Sequence, residues 1–211
     1  MGLSKYLGVF LGKCDSQINK FSYLFHLLIS LWAMQRKLIL SSPLLEITIS
    51  RLCQELIENH QDFADSVIIG LQPRGIYFAK KIHQELEEIT HVKIPFGYLD
   101  ATFYRDDYRR RELVKANETK IAFVIENKRV ILIDDVLATG RMVRSALDAM
   151  TAFGRPQKVE LCVLVDRIYN RDIPIHADYV GKKVNTLDTE KVLVELQEQG
   201  HEADKIWLIT N

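Results

Sequence analysis

The sequence predicts an α/β fold, a mainly parallel twisted sheet flanked by helices. Three observations predict it. Ser66-Val-Ile-Ile-Gly70, Val130-Ile-Leu-Ile133 and Val159-Glu-Leu-Cys-Val-Leu-Val165 are short, almost unbroken aliphatic runs, the pattern of strands covered on both faces. Segments with apolar residues three and four positions apart separate them, as helices packed on such a sheet do. The alternation of the two implies parallel neighbours joined by right-handed crossovers.

Taken in order, Ser42-Pro43 can cap and start a helix, because a serine hydroxyl accepts an amide hydrogen bond and proline lacks the donor that would go unpaired. Leu45, Ile49, Leu52, Cys53, Leu56 and Ile57 form its inner face. After the strand at Ser66, Gly75 opens a second helix with Ile76, Ala79, Ile82, Leu86 and Ile89 facing inward. Residues 93–104 suit a strand, 105–118 read as a charged loop, and 121–125 form a candidate strand. The run from Val130 then leads into a helix whose inner face is Val143, Leu147, Met150 and Phe153, stopped by Gly154 and Pro156. Beyond Val165 the pattern becomes strands and turns, with 177–180, 192–196 and 206–210 as candidate strands.

A chain of 211 residues that is 47% hydrophobic and 27% charged can bury one sizeable core, and one domain is the simplest count. Its 28 Lys plus Arg balance 28 Asp plus Glu, so no overall basic field announces nucleic acid, although a local basic face stays open. Cys14, Cys53 and Cys162 are far apart and odd in number, which fits reduced thiols in a cytosolic protein rather than a disulfide framework or a metal site. Cys53 and Cys162 fall on apolar faces and read as small buried hydrophobes. His60, His83, His91 and His201 are expected at the surface without partnered acids, and Trp32 and Trp207 are expected to pack rather than to stack on a ligand.

Residues 1–33 are expected to lie outside a domain of residues 34–211. The stretch Tyr23-Leu-Phe-His-Leu-Leu-Ile-Ser-Leu-Trp-Ala33 is shorter than the roughly 20 apolar residues that cross a bilayer. His26 interrupts it as a signal peptide, and Tyr6 stands where a myristoylation signal has Ser or Thr. Met34 is the expected biological start, with a tail helix lying on the domain as the alternative. Mass spectrometry of natively expressed protein separates the two.

Chemistry gathers after Ile133. Asp134 and Asp135 stand at the carboxyl end of a strand, the edge at which open α/β sheets bind ligands. The turn Ala138-Thr-Gly140 entering a helix presents backbone amides, an arrangement that cradles phosphate. An acid pair beside such a turn can bind hydroxyls or a metal; alone it would fit acidic phosphate-accepting domains, Mg²⁺ sites or structural capping equally well. Neither a Gly-Lys-Ser/Thr nucleotide loop nor a Gly-x-Gly-x-x-Gly fingerprint is present.

The whole stretch Val130-Ile-Leu-Ile-Asp-Asp-Val-Leu-Ala-Thr-Gly-Arg-Met142 resembles the 5-phosphoribosyl-1-diphosphate (PRPP) motif of type I phosphoribosyltransferases. Gly70-Leu-Gln-Pro-Arg-Gly-Ile-Tyr77, Thr102-Phe-Tyr-Arg-Asp-Asp107, Gly154-Arg-Pro156, Val163-Leu-Val-Asp-Arg167 and Ala177-Asp-Tyr-Val-Gly-Lys182 are similar, in order, to segments of the bifunctional pyrimidine operon regulator and uracil phosphoribosyltransferase family. The resemblance spans Met34 to about Thr210. It implies the type I phosphoribosyltransferase fold, with a small hood from the two chain ends, and conversion of uracil and PRPP to UMP and diphosphate. It also implies Mg²⁺ held mainly through PRPP without a protein cage, a cytoplasmic location, no membrane, and a homodimer or higher homo-oligomer.

Residue by residue, the resemblance implies that Asp134 and Asp135 hold the ribose hydroxyls and stabilise an oxocarbenium-like transition state. Val136, Leu137, Ala138, Thr139, Gly140, Arg141 and Met142 would line the 5-phosphate, with Pro73, Arg74 and Gly75 forming the diphosphate loop. Arg105 would belong to a closing lid, a solvated charge being the alternative, and Arg167 and Val192 would line the uracil side. Ser50, Arg51 and Arg171 keep the character of the family's contacts to pyr leader mRNA. Two departures are visible. Met142 stands where the family has Thr. Gln54 and Asn170 replace His, Asn59 and His176 replace Arg, and one extra residue lengthens Ile168-Tyr-Asn-Arg171, each lost phosphate contact weakening RNA binding. The alternatives are an RNA-binding attenuator with vestigial transferase activity and a transferase for another base.

Overall fold

In the computed structural model, which describes residues 35–106, 116–187 and 189–210, the aliphatic runs form the middle of one parallel sheet. The elements are β1 (Gln35–Leu40), α1 (Ser42–His60), β2 (Ser66–Leu71), α2 (Gly75–Thr90), β3 (Phe96–Leu99), β4 (Arg129–Leu137), α3 (Arg141–Met150), β5 (Lys158–Arg167), β6 (Tyr179–Val184), β7 (Glu190–Glu195) and β8 (Lys205–Thr210). The main sheet has the order β3-β2-β4-β5-β6, with every neighbouring pair parallel. A second, antiparallel sheet of order β1-β8-β7 forms the hood.

Strand alternation divides β4 between two cores. Ile131 and Ile133 pack with Leu45 and Ile49 of α1 and with Phe78 and Ile82 of α2. Val130 and Leu132 pack with Val143, Ala146 and Met150 of α3. Both faces being covered, β4 has no need of polar positions until its chemistry begins.

Several expectations are corrected. The serine hydroxyl of Ser42 does not cap α1; it donates to the Asp204 carbonyl at 2.8 Å and ties the helix to the hood. Leu147 and Phe153 are exposed rather than inward, because α3 buries the smaller Ser145, Ala146 and Ala149 instead, and Ile89 is exposed in the last turn of α2. The expected strand at 93–104 contracts to β3, and 121–125 forms no strand. That segment meets the sheet through an isolated bridge between Tyr98 and Lys120, while Ile125 is buried in the α3-side core. Cys53 and Cys162 are free and fully buried. Cys14, His26 and Trp32 lie outside the described residues. Among the described residues no helix is long and apolar enough to cross a membrane.

The largest correction to the histidines is His60, which is buried. Its Nδ1 lies 2.7 Å from Ser66 Oγ, its Nε2 lies 3.3 Å from Glu160 Oε2, and its ring stacks on Phe63 at 5.5 Å. Glu160, a carboxylate inside β5, is also paired with Arg129 at 3.0 Å and Lys158 at 2.8 Å. His83 is half-buried too, with Nε2 2.9 Å from the Ile94 carbonyl. Burial first, and then the charge of Arg129, lower the His60 pKa from 6.5 to about 4, against the opposing pull of Glu160. A depressed folded pKa contributes stability above the unfolded value that is lost as pH falls through the folded one. The thermal midpoint is therefore expected to fall between pH 6.5 and pH 4. In His60→Phe that slope should flatten; an unaltered slope in circular-dichroism melts would assign it to other groups.

Candidate active site

The site begins where β4 loses one of its neighbours. The β2 ladder ends at the Gly70–Ile133 pair, whereas the β5 ladder continues through Leu137 opposite Asp166. Asp134 and Asp135 thus lie inside β4, flanked by a strand on one side and by the loop Pro73-Arg74-Gly75 on the other. The Gln72–Pro73 peptide is cis. Gly75 opens α2 directly against Asp134: a Cβ there would stand 2.7 Å from Asp134 Oδ1 and 2.8 Å from Asp134 Cα.

Both acids are buried. Asp134 Oδ1 accepts the Asp135 amide at 2.9 Å, and Asp135 Oδ1 accepts the Val136 amide at 2.9 Å. Burial, and then the adjacent Asp135 carboxylate, push the Asp134 pKa well above the usual carboxylate range. Burial raises Asp135 as well, offset by the hydrogen bond to Asp134 and by the charge of Arg74. Among the described residues, no group of three or more His, Cys, Asp or Glu side chains is arranged to hold a metal ion.

After Leu137 the chain turns through Ala138, Thr139 and Gly140, whose φ of +86° is the left-handed conformation glycine tolerates. The N-terminus of α3 follows at once, aiming its free amides and the positive end of its dipole at the turn. A cavity of about 270 Å³ opens here, lined by Arg105, by Asp134 and by every residue from Val136 to Val143. Met142 lines it while its partly buried side chain also packs on the α3-side core. Arg141 points outward to Asp172 at 2.8 Å and to Asp106, so its side chain anchors the segment that follows Arg105 rather than filling the cavity. The rest of the expected lid, residues 107–115, lies outside the described residues.

Arg167 and Val192, expected on the base side, are not among the residues that line this cavity. Arg167, at the end of β5, donates to Thr186 Oγ1 and to the Glu190 carbonyl, each at 2.9 Å, which fastens it to the start of β7. Val192 packs into the same apolar cluster as Val136 and Val184.

The residues expected on an RNA face divide. Ser50 is half-buried and Arg51 exposed on α1, where Arg51 reaches the Val180 and Gly181 carbonyls at 2.9 Å and pairs with Glu55. The Arg171 side chain is 16% exposed and paired with the buried Asp166, and its other donors go to main-chain carbonyls behind the turn. Asp106, Asp172, Asn170 and Thr186 also support the site, through Arg141 or Arg167. Nothing in the local pattern of the chain marks those four, since short polar residues in loops are ordinary.

A phosphoribosyl transferase domain model matches residues 35–199. A bifunctional protein pyrR of Enterococcus faecalis is 40% identical over 175 residues, covering 83% of this chain and 97% of that protein. The chain belongs to the PyrR family of phosphoribosyltransferases. A pyrimidine operon regulatory protein of Lactococcus lactis is 42% identical over 165 residues, covering 78% of this chain and 92% of its own. The hypoxanthine phosphoribosyltransferase of Staphylococcus aureus superposes with a TM-score of 0.61 at 20% identity, covering 81% of this chain and 90% of that chain. That likeness is one of fold: the parallel sheet with helices on both faces is the type I phosphoribosyltransferase architecture, and in this PyrR-family chain the hood is built from β1, β7 and β8.

Proposed function

We propose that this chain transfers the phosphoribosyl group of PRPP to N1 of uracil, giving UMP and diphosphate, and that residues 34–211 carry the reaction. The observation that carries the reading is the convergence, at the end of β4, of buried Asp134, an amide-lined turn and a helix N-terminus around one cavity, with buried Asp135 next in the chain. Ala138 to Met142 bind the 5-phosphate through main-chain amides. Asp134 and Asp135 accept hydrogen bonds from the ribose hydroxyls and, once ionised, oppose the positive charge that grows on the ring as the bond from C1 to the diphosphate oxygen breaks. Arg74, whose charge already acts on Asp135, neutralises the departing diphosphate. Arg105, on the cavity wall, closes over it. Arg167 and Val192 bound the uracil side, and the uracil N1 proton passes to solvent as the new C–N bond forms.

The residues fit Mg²⁺ delivered on PRPP, because the Asp134 and Asp135 carboxylates are the hard oxygen donors that ion takes. When bound it supplies charge neutralisation at the diphosphate.

The relatives' names, bifunctional protein pyrR and pyrimidine operon regulatory protein, support a second role, binding a pyrimidine-operon leader RNA through the α1 face that carries Ser50 and Arg51. One assay addresses both roles. Uracil, hypoxanthine and orotate compete for labelled PRPP with Mg²⁺, and leader RNA is titrated at two salt concentrations. Labelled UMP together with RNA binding that weakens with salt is the expected result. Turnover of another base alone would overturn the substrate assignment, and RNA binding without turnover would make the chain a regulator only.

Met142→Thr is expected to lower KM for PRPP about tenfold or more, because a charge-assisted hydrogen bond to phosphate contributes about 1.5–3 kcal/mol. An unchanged KM would mean that a hydroxyl at this position does not reach the phosphate.

A further inference from the structure

The carbonyls of the phosphate turn are held from behind by one corner of the chain. Arg171 Nη1 donates to the Leu137 carbonyl at 3.2 Å and to that of Ala138, and its Nη2 pairs with the buried Asp166 carboxylate. Its Nε donates to Ile175 at 3.0 Å and Nη1 also to Arg167 at 3.1 Å. The next carbonyl, Thr139, accepts from the amides of Asp172 and Ile173 at 3.0 and 3.1 Å. Three successive carbonyls, at residues 137, 138 and 139, are therefore drawn to the 171–173 corner. A trans peptide is planar, with its carbonyl and the following N–H pointing in opposite directions. Holding these three carbonyls back directs the amides of Ala138, Thr139 and Gly140 away from the corner.

We infer that Arg171 is a positioning residue for the 5-phosphate: it orients the amide cradle of the turn without touching the ligand. The inference rests on PRPP being the ligand. Asp166 fixes the guanidinium by charge, and the planar fork supplies the geometry that a single ammonium cannot.

The test compares wild type, Arg171→Lys and Arg171→Met by calorimetric titration with PRPP and with leader RNA, by KM for PRPP and for uracil, and by thermal unfolding. Arg171→Met should weaken PRPP binding and raise its KM about tenfold or more, with KM for uracil within about twofold, and Arg171→Lys should recover only part of the loss. A residue that served stability alone would lower the active fraction and hence kcat, leaving both Michaelis constants in place, and that outcome overturns the inference. Unchanged PRPP affinity with lost RNA binding overturns it as well and returns Arg171 to the RNA face. Where Arg171→Met fails to fold, Arg171→Lys decides, because it keeps the charge near Asp166 and loses only the fork. Wild type that binds no PRPP overturns both the inference and the reading beneath it, whereas a wild type that binds and variants that bind equally overturn the inference alone.

Discussion

Asp135→Asn is expected to lower kcat by at least about 100-fold while leaving the ligand-free protein as stable as wild type, or more so, at neutral pH. The first half follows from the proposed role. An ionised carboxylate facing a developing oxocarbenium ion acts more strongly in the transition state than in the ground state, and loss of one such group costs roughly 2.7–4 kcal/mol. The second half follows from burial. Desolvation disfavours the charged forms of both acids, holding Asp134 well above the usual carboxylate range and raising Asp135 as well. For a carboxyl whose folded pKa is raised, the stabilising contribution is fully present below the unfolded value, near 3.8, and is lost as pH rises through the folded pKa. As pH rises through the folded pKa values the charge on the pair becomes a cost to folding that asparagine, shaped like the neutral acid, does not carry. Asp134→Asn should behave likewise, and the acid limb of the wild-type kcat/KM profile should lie above the ordinary carboxylate range. Steady-state kinetics and melting curves on the same preparations check the pair of effects. A kcat within twofold of wild type in both variants would remove the acids from the chemistry.

What could be read from the chain was whatever local periodicity decides. β4, the acid pair and the Thr-Gly turn are contiguous, and the i+3/i+4 faces of α1 and α2 are set within a few turns, so the sheet's centre and one wall of the cavity were visible. β1 was not. Gln35–Leu40 is a strand because it pairs with β8, Gln35 opposite Thr210, and no local pattern carries that partner. Residues 121–125 fail in the opposite way: their apolar residues suit a strand, yet Phe123 and Ile125 are used for packing, and Gly97 draws the segment so close that a Cβ there would stand 2.7 Å from the Lys120 carbonyl. His60 was misplaced because the last turn of α1 runs over β2 and β5, where Glu160 needs a partner. The contacts of Arg171 were not legible, because a charge counted in a loop looks solvated until the fold brings buried Asp166 and the carbonyls of Leu137 and Ala138 to it.

Gly75→Ala is expected to destabilise the protein by about 1–3 kcal/mol, the cost of overpacking a filled core, and to lower kcat/KM about 100-fold. Local propensity predicts the reverse, since alanine in a helix is favoured over glycine by roughly 0.5–1 kcal/mol. The sign is decided by space, because Gly75 is not among the glycines with positive φ. Its added Cβ would meet Asp134 Oδ1 at 2.7 Å, Asp134 Cα at 2.8 Å and the Ile133 carbonyl at 2.9 Å. Two of these atoms are backbone of a strand whose ladder to β5 continues through Leu137, so no rotamer change relieves them. Either the start of α2 withdraws, carrying Arg74 away from Asp135, or the end of β4 shifts and takes Asp134 out of the cavity wall. A misplacement of about 1 Å at a reacting centre costs on the order of 100-fold in rate. Gly200→Ala supplies the contrast: at φ +92° with nothing within 4 Å of the new Cβ, it strains the backbone alone and should cost stability without changing kcat/KM. Full activity in Gly75→Ala with a melting point like that of wild type would show that the loop and the acid are not held together by this contact.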